Sequence, residues 1–302
     1  MKLERDPVWG PVFNRAVYLI ADRLRDLVEA LPGSTARATG RMMGALAVRI
    51  LGSKIRFAAG QAEAALGPGA GKYAEESVRQ FGHLAIELLR VTNAYSRDHW
   101  RRRVAVTGVE FLRSAVAEGK GVIAVSAHLG NWEVGTSVMG HLGFPVTWLL
   151  RPLENPLIQE GINGIRATAG THVITKWGGL REGVHVLRRG GILAMLVDQD
   201  ARDQGVFVPF FGREASTLKS PALLSVRTGA PILPFITFRL PDGRLSLEFA
   251  EAFVAEGSDE HEADLERATA RFTAVIEGWI RRAPEQWLWV HRRWKTQRVG
   301  KS

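Results

Sequence analysis

The chain has 302 residues, 46% of them apolar and 24% charged, with no cysteine and a formal charge of +9. That composition excludes a disordered chain and a disulfide-stapled miniature, and the missing thiols exclude thiolate metal sites, thiol redox chemistry and cysteine nucleophiles. The positive excess sits at the two ends: residues 281–302 carry seven Lys or Arg against Glu285 alone, and the first 60 residues carry ten against five acids, which fits either an anionic partner or a solubilising surface.

In chain order, residues 12–31 are amphipathic, with Phe13, Val17, Ile20, Leu24, Leu27 and Leu31 on one helical face. Pro32-Gly33-Ser34 ends that helix. Residues 36–51 and 53–66 predict two more, Gly67-Pro68-Gly69 breaks the chain, and residues 74–95 restart it with Val78, Phe81, Ala85 and Leu88 on one side. No run reaches the ~20 apolar residues that span a bilayer. Glu4 and Asp6 stand where a signal peptide would be basic, so a non-secreted chain that does not cross a membrane is expected.

From residue 104 short β-branched runs alternate with helical stretches. Strands are predicted at Val104–Thr107, Val122–Ser126, Val146–Leu150, His172–Thr175, Ile192–Val197, Ile232–Arg239 and Leu245–Phe249, the last two as an antiparallel hairpin about Pro241-Asp242-Gly243. Helices are predicted near 109–118, 131–142, 156–168, 180–189, 216–228 and 261–282. This alternation implies an α/β fold: a mostly parallel central sheet flanked by helices, with an N-terminal helical layer. The expected organisation is a single domain over 1–302, helical over 1–100 and α/β over 101–302.

In such sheets ligands bind beyond the carboxyl ends of the strands, and three polar clusters fall there: Ser126-Ala127-His128-Leu129-Gly130-Asn131-Trp132-Glu133, Arg151-Pro152-Leu153-Glu154-Asn155-Pro156, and Asp198-Gln199-Asp200. In the first, His128 leaves its strand, Gly130 lets the backbone turn, and a helix starts near Asn131 with Glu133 in its first turn. The ring then folds back over that turn. Glu133 accepts a hydrogen bond from one ring nitrogen and the other is left as a base, beside unpaired helix N–H groups suited to an oxyanion. By spacing alone, a His that only caps the helix and pairs with Glu133 for stability fits equally. Zinc does not fit, because five residues do not separate two ligands on one helix face.

Each remaining candidate has two readings. Arg151 is a phosphate or carboxylate fork or a partner of Glu154. Asn155 holds a sugar or glycerol hydroxyl or starts the helix at Pro156. Asp198 and Asp200 orient acceptor hydroxyls or backbone amides, and no further acids accompany them for a divalent metal. Phe207, Phe210 and Phe211 with Gly212 line an acyl groove or fill core. Thr217 and Lys219 open a helix near an anion or lie in solvent. Trp287, Trp289 and Trp294, interleaved with His291, Arg292, Arg293 and Lys295, suit a membrane interface or RNA.

The His-x4-Glu cluster, Arg151-Pro152 with Asn155-Pro156, Asp198-Gln199-Asp200, Val206-Phe207-Val208-Pro209-Phe210-Phe211-Gly212 with Thr217, and Pro284-Glu285-Gln286-Trp287-Leu288-Trp289-Val290-His291-Arg292-Arg293-Trp294 together resemble, in order and over residues 10–296, the bacterial lipid A biosynthesis acyltransferase family of the lysophospholipid acyltransferase superfamily. The resemblance implies an O-acyltransferase that moves a fatty acyl chain from an acyl thioester to a hydroxyl of a lipid A precursor or related glycolipid, a lysophospholipid or mannosylated phosphoinositide being the alternative acceptor. It implies His128 as general base with Glu133 as its partner and no acyl-enzyme. Asn131, Arg151, Asn155, Asp198, Asp200, Phe211, Gly212 and Thr217 are expected at the substrate. No metal and no tightly bound cofactor are expected; acyl carrier protein or coenzyme A supplies the thioester as co-substrate. Expected partners are acyl carrier protein, transiently, an anionic membrane surface and the lipid acceptor, with no nucleic acid. The expected place is the cytoplasmic face of a bacterial inner membrane. Arg15, Asp22, Arg23 and Asp26 interrupt the N-terminal stretch, which favours peripheral association. A non-catalytic basic binding protein is the rival of another class.

Overall fold

A computed structural model describes residues 9–175, 179–257 and 261–298. Four helices come first: α1 (Trp9–Ala30), α2 (Gly33–Ile50), α3 (Gly52–Leu66) and α4 (Lys72–Leu89), followed by the single turn α5 (Val91–Ala94). The rest alternates as expected: β1 (Val104–Thr107), α6 (Val109–Ala117), β2 (Val122–Ser126), α7 (Trp132–His141), β3 (Val146–Leu150), α8 (Pro156–Ala167), β4 (Thr171–Thr175), α9 (Gly179–Arg188) and β5 (Ile192–Leu196). Then follow β6 (Gly205–Phe210), β7 (Arg213–Leu218), α10 (Ser220–Thr228), β8 (Ile232–Arg239), β9 (Leu245–Phe249) and α11 (Glu262–Arg282).

The sheet is ordered β1-β9-β8-β2-β5-β3-β4. Strands β8, β2, β5, β3 and β4 run parallel, whereas β9 returns antiparallel to β8 and β1 lies parallel to β9. The carboxyl ends of the five parallel strands and the amino ends of β9 and β1 therefore share one edge. All five residues of β2 are buried, as a strand covered on both faces requires. Its side chains alternate between two cores: Ile123 and Val125 face one, with Met195, Ile236 and Phe272, and Val122 and Ala124 face the other, with Trp148, Phe235 and Leu247.

One stretch departs from the sequence reading. Residues 205–218 form the two-stranded hairpin β6–β7, so the helix expected from residue 216 begins only at Ser220. Phe211 and Gly212, at φ of 54° and 71°, make its two-residue turn, and such a turn needs positive φ at both central positions. Phe211 adopts this strained backbone while its N–H donates to Glu277 Oε2 at 2.6 Å and its ring is buried.

The aromatic C-terminal segment is interior, which overturns the expectation that it meets a membrane. Trp287, Trp289 and Trp294 are 1%, 0% and 8% exposed. They pack with Phe210 and Phe211, Trp287 lying 4.6 Å from Trp289 and 5.6 Å from Phe210 between ring centroids. Gln61 of α3 donates to the carbonyls of Trp289 and His291, tying the segment to the helical layer. Arg293 is wholly buried as well, donating to the Ser216 carbonyl and to Thr217 Oγ1, and burial pulls its pKa down to about 10.

The apolar surface that stays in water lies elsewhere. Val12, Leu19, Ile20, Leu24 and Leu27 of α1, Met42, Met43, Leu46 and Ile50 of α2, and Phe57 of α3 are all exposed. Of the stripe read from α1, Ile20, Leu24 and Leu27 face outward while Phe13, Val17 and Leu31 are half-buried, and Val28, outside that stripe, is buried. Helices α2 and α4 cross closely because Gly40, Gly44 and Gly82 meet there: a Cβ at Gly44 would stand 2.5 Å from the Arg79 carbonyl. Among the described residues no helix is long and apolar enough to cross a membrane.

Candidate active site

Strand β2 ends at Ser126, and the segment 127–131 is then pinned by backbone contacts on several sides. Leu288 N–H donates to the His128 carbonyl at 3.0 Å, Gly130 N–H to the Gln286 carbonyl at 3.1 Å, and Asn131 N–H to the Thr237 carbonyl at 3.1 Å. Gly130 has φ of 61°, and a Cβ there would stand 1.7 Å from the Thr237 oxygen, so no other residue fits. The His128 ring is consequently held over the strand edge with its side chain 18% exposed, edge-on to Trp132 at 5.0 Å.

The partner of that ring is Asp198 rather than Glu133. His128 Nδ1 lies 2.8 Å from Asp198 Oδ1, and the His128 backbone N–H donates to Asp198 Oδ2 at 2.9 Å. Trp287 Nε1–H donates to the same Oδ2 at 2.8 Å. An ionised carboxylate can only accept, so Nδ1 carries the proton and Nε2 keeps its lone pair. The Asp198 side chain is 2% exposed. Burial alone would raise its pKa, but attraction to the imidazolium form of His128 and these three donors outweigh burial and hold it at about 2. Gln199, next in the chain and exposed, brings its amide nitrogen within 3.4 Å of Nε2.

Glu133 is committed to a different residue. Its two oxygens take a bidentate pair from Arg166 of α8, Nε to Oε2 at 3.0 Å and NH2 to Oε1 at 2.6 Å. Both side chains are largely buried, 8% and 11% exposed. The reason is directional: in the first turn of α7, Glu133 faces α8, while His128 faces the end of β5. Arg166 was not singled out from the sequence, because an Arg in a helix carries no motif that names a carboxylate 33 residues away.

Other expected substrate contacts are used within the protein. Asn131 is fully buried; its Oδ1 caps α7 by accepting from Val134 N–H, and its Nδ2 donates to Glu87 Oε2 at 2.6 Å. Glu87 also takes a bidentate pair from Arg239 at the end of β8, so the helical layer grips the start of α7. Asn155 is the cap of α8, accepting from Leu157 and Ile158 and donating to the Asn14 carbonyl. Asp200 accepts from the N–H and hydroxyl of Thr296, and its own N–H donates to His291 Nε2. Thr217 is buried and accepts from Arg293, Phe211 is buried among the aromatic side chains, and Gly212 sits at the hairpin turn. Arg151 differs: it is exposed beyond β3 and makes no ion pair among the described residues.

Residues 20–296 match the family model described as bacterial lipid A biosynthesis acyltransferase. The chain belongs to that family. Over 204 residues it is 32% identical to a lipid A biosynthesis palmitoleoyltransferase of Escherichia coli (strain K12), a match covering 67% of this chain and 65% of the relative. It is 30% identical over 205 residues to a lipid A biosynthesis lauroyltransferase of the same organism, covering 66% and 65%. It is also 27% identical over 163 residues to a phosphatidylinositol mannoside acyltransferase of Mycobacterium tuberculosis (strain CDC 1551 / Oshkosh), covering 52% of each. The matched segment thus spans about 65% of the length of the lipid A relatives. Within this family member, the His-x4-Glu element divides its work: His128 turns to Asp198, and Glu133 fastens α7 to α8.

Proposed function

We propose that this protein transfers a fatty acyl chain from an acyl thioester to a hydroxyl of a glycolipid acceptor, a lipid A precursor or a relative of it, with His128 as general base. The observation that carries the reading is the partly exposed His128 ring whose Nδ1–H is bound by a buried, ionised Asp198, leaving Nε2 to take a proton. In the reaction the acceptor hydroxyl attacks the thioester carbonyl as Nε2 removes its proton. The C–O bond forms, the C–S bond breaks, and the imidazolium returns the proton to the departing thiolate. Asp198 stabilises the imidazolium, so no protein nucleophile and no acyl-enzyme are required. A positioned base contributes about 10²–10⁴-fold. Glu133 acts one step removed, through Arg166, by holding α7 against α8. Support for the acceptor class comes from the relatives, whose names cover lipid A and phosphatidylinositol mannoside.

We further infer that the protein lies on an anionic bilayer through α1–α3. Ten exposed large apolar residues on these helices are interspersed with the exposed cations Arg15, Arg23, Arg41, Arg49, Lys54 and Arg56, a combination that buries apolar area while meeting lipid phosphate. The acceptor reaches the site from that surface.

The test is an assay with acyl carrier protein or coenzyme A thioesters and a disaccharide lipid acceptor. Wild type forms the acylated lipid. His128→Ala, verified as folded, loses at least about 10²-fold of that rate. Near-normal turnover by the variant, or no transfer by wild type from any thioester, overturns the assignment. Binding to anionic vesicles without any such product would favour a non-catalytic binding protein.

A further inference from the structure

Away from His128, on the same sheet edge, a cleft of about 270 Å³ is lined by Arg37 of α2, Tyr95, His99, Arg102 and Arg103 before β1, and Asp242, Gly243 and Arg244 before β9. Four of these residues are arginines, and Asp242, the one carboxylate in the lining, is engaged by Arg244. Arg37, Arg102 and Arg103 have no carboxylate partner among the described residues, and all four guanidinium side chains belong to exposed residues. Arg97 and Arg101 extend the patch along the same segment, against Asp98 alone. Its floor is Tyr95, whose phenol burial pushes well above its ordinary pKa, and the Glu87 carboxylate against that phenol is already taken by Arg239.

The topology places this cleft relative to the chemistry. The amino ends of β1 and β9 lie at the edge where β2 delivers His128, and the order β1-β9-β8-β2 sets β9 two and β1 three strand spacings from β2, roughly 10–14 Å. Between them stands the Arg239–Glu87 pair that also holds Asn131. The patch differs in kind from the lipid-facing surface. No large apolar side chain is exposed over residues 95–103 or 239–244, whereas α1–α3 expose ten. A surface on which Arg37, Arg102 and Arg103 lack a carboxylate partner and no large apolar side chain is exposed has nothing to bury in a bilayer; it suits a soluble, acidic protein that is steered in and held by charge, and arginine forks match carboxylates and phosphates bidentately.

We propose that this arginine cleft is the docking surface for the acidic protein that carries the acyl thioester, setting the carrier beside the strand edge so that its prosthetic arm runs along that edge to His128. This rests on the thioester reading above and commits it to a carrier protein. The test measures binding directly, so that it does not depend on turnover. Full-length protein is titrated into isotope-labelled holo acyl carrier protein at low and high salt, for wild type and for Arg102→Glu/Arg103→Glu/Arg244→Glu. Wild type binds with an affinity that falls as salt rises. The variant, with an unchanged melting temperature, binds at least about 10-fold more weakly, and Arg102→Lys/Arg103→Lys recovers most of the affinity lost. In the transfer assay the ratio of kcat/KM for the carrier thioester to that for the coenzyme A thioester falls by the same factor. No binding by wild type at low salt, or equal binding by the variant, overturns the docking site. Loss of vesicle binding with carrier binding intact would make the patch a lipid surface and also overturn it. If wild type binds the carrier but transfers from no thioester, the catalytic reading fails and the docking surface stands.

Discussion

Asp198 lies 70 positions from His128 in sequence and takes its Nδ1–H, while Glu133, five positions away, takes Arg166 instead. The consequence is a difference in how the two acids respond to the same substitution. Asp198→Asn keeps the shape, but its amide cannot reproduce an acceptor for every donor it meets, and the imidazolium loses its counter-charge. Acyl transfer should fall by about 10³–10⁴-fold with acceptor KM little changed, measured by steady-state kinetics. The same carboxylate also couples to acid stability. Its folded pKa of about 2 lies below its ordinary 3.8, so ionised Asp198 contributes stability at higher pH that is lost as pH falls from about 4 through 2. That contribution is about 2 kcal/mol. Urea titrations from pH 6 to pH 2 should show the slope in wild type and a flatter curve in Asp198→Asn. An equal slope in both would place the acid-sensitive group elsewhere.

At the scale of elements, the site is an assembly of strand and helix ends whose mutual fit is decided by a few close approaches. Gly130→Ala would put a methyl 1.7 Å from the Thr237 oxygen and hold a non-glycine residue at φ 61°. It should lower stability by about 1–3 kcal/mol and activity further, since His128 is two residues away; calorimetry and the transfer assay check the two separately. Glu133→Gln breaks a buried pair and leaves Arg166 uncompensated, at a cost of about 3–5 kcal/mol. Adding Arg166→Met should restore much of the melting temperature without restoring turnover, because the α7–α8 clamp is then apolar and no longer directional. Recovery of both would reduce the pair to a stabilising role. Most elements were legible from periodicity: the seven strands of the main sheet and the helices between them fall within a few residues of expectation. The β6–β7 hairpin was not, because Phe210-Phe211-Gly212 carries its turn on an aromatic residue at positive φ. Nothing in the residue type announces that choice; the Glu277 contact and the aromatic cluster impose it.

For the whole molecule, the apolar residues divide into those that the fold buries and those that it leaves out. The tryptophans of residues 287–294 looked like an interfacial belt and are core; the stripe on α1 looked as able to pack inward as outward and leaves Ile20, Leu24 and Leu27 in solvent while Phe13, Val17 and Leu31 are half-buried. Leu24→Glu/Leu27→Glu on α1 with Met42→Glu on α2 should therefore reduce co-sedimentation with anionic vesicles by at least about 10-fold while leaving the melting temperature unchanged. A lowered melting temperature would instead mean that these side chains pack within the protein, and undiminished vesicle binding would overturn the lipid-facing assignment. The sequence by itself determined the strand–helix alternation, the sheet edge where polar clusters gather, and His128 as the residue that leaves β2 at that edge, since each depends on local periodicity or on residues adjacent in the chain. Only the tertiary structure decided that Asp198 and not Glu133 orients the ring, that Asn131, Asn155 and Asp200 are spent on the protein's own backbone and tail, and which aromatic and apolar residues meet solvent. Those outcomes depend on the direction in which a side chain leaves its element and on what distant segment arrives opposite it, and spacing along a chain carries neither.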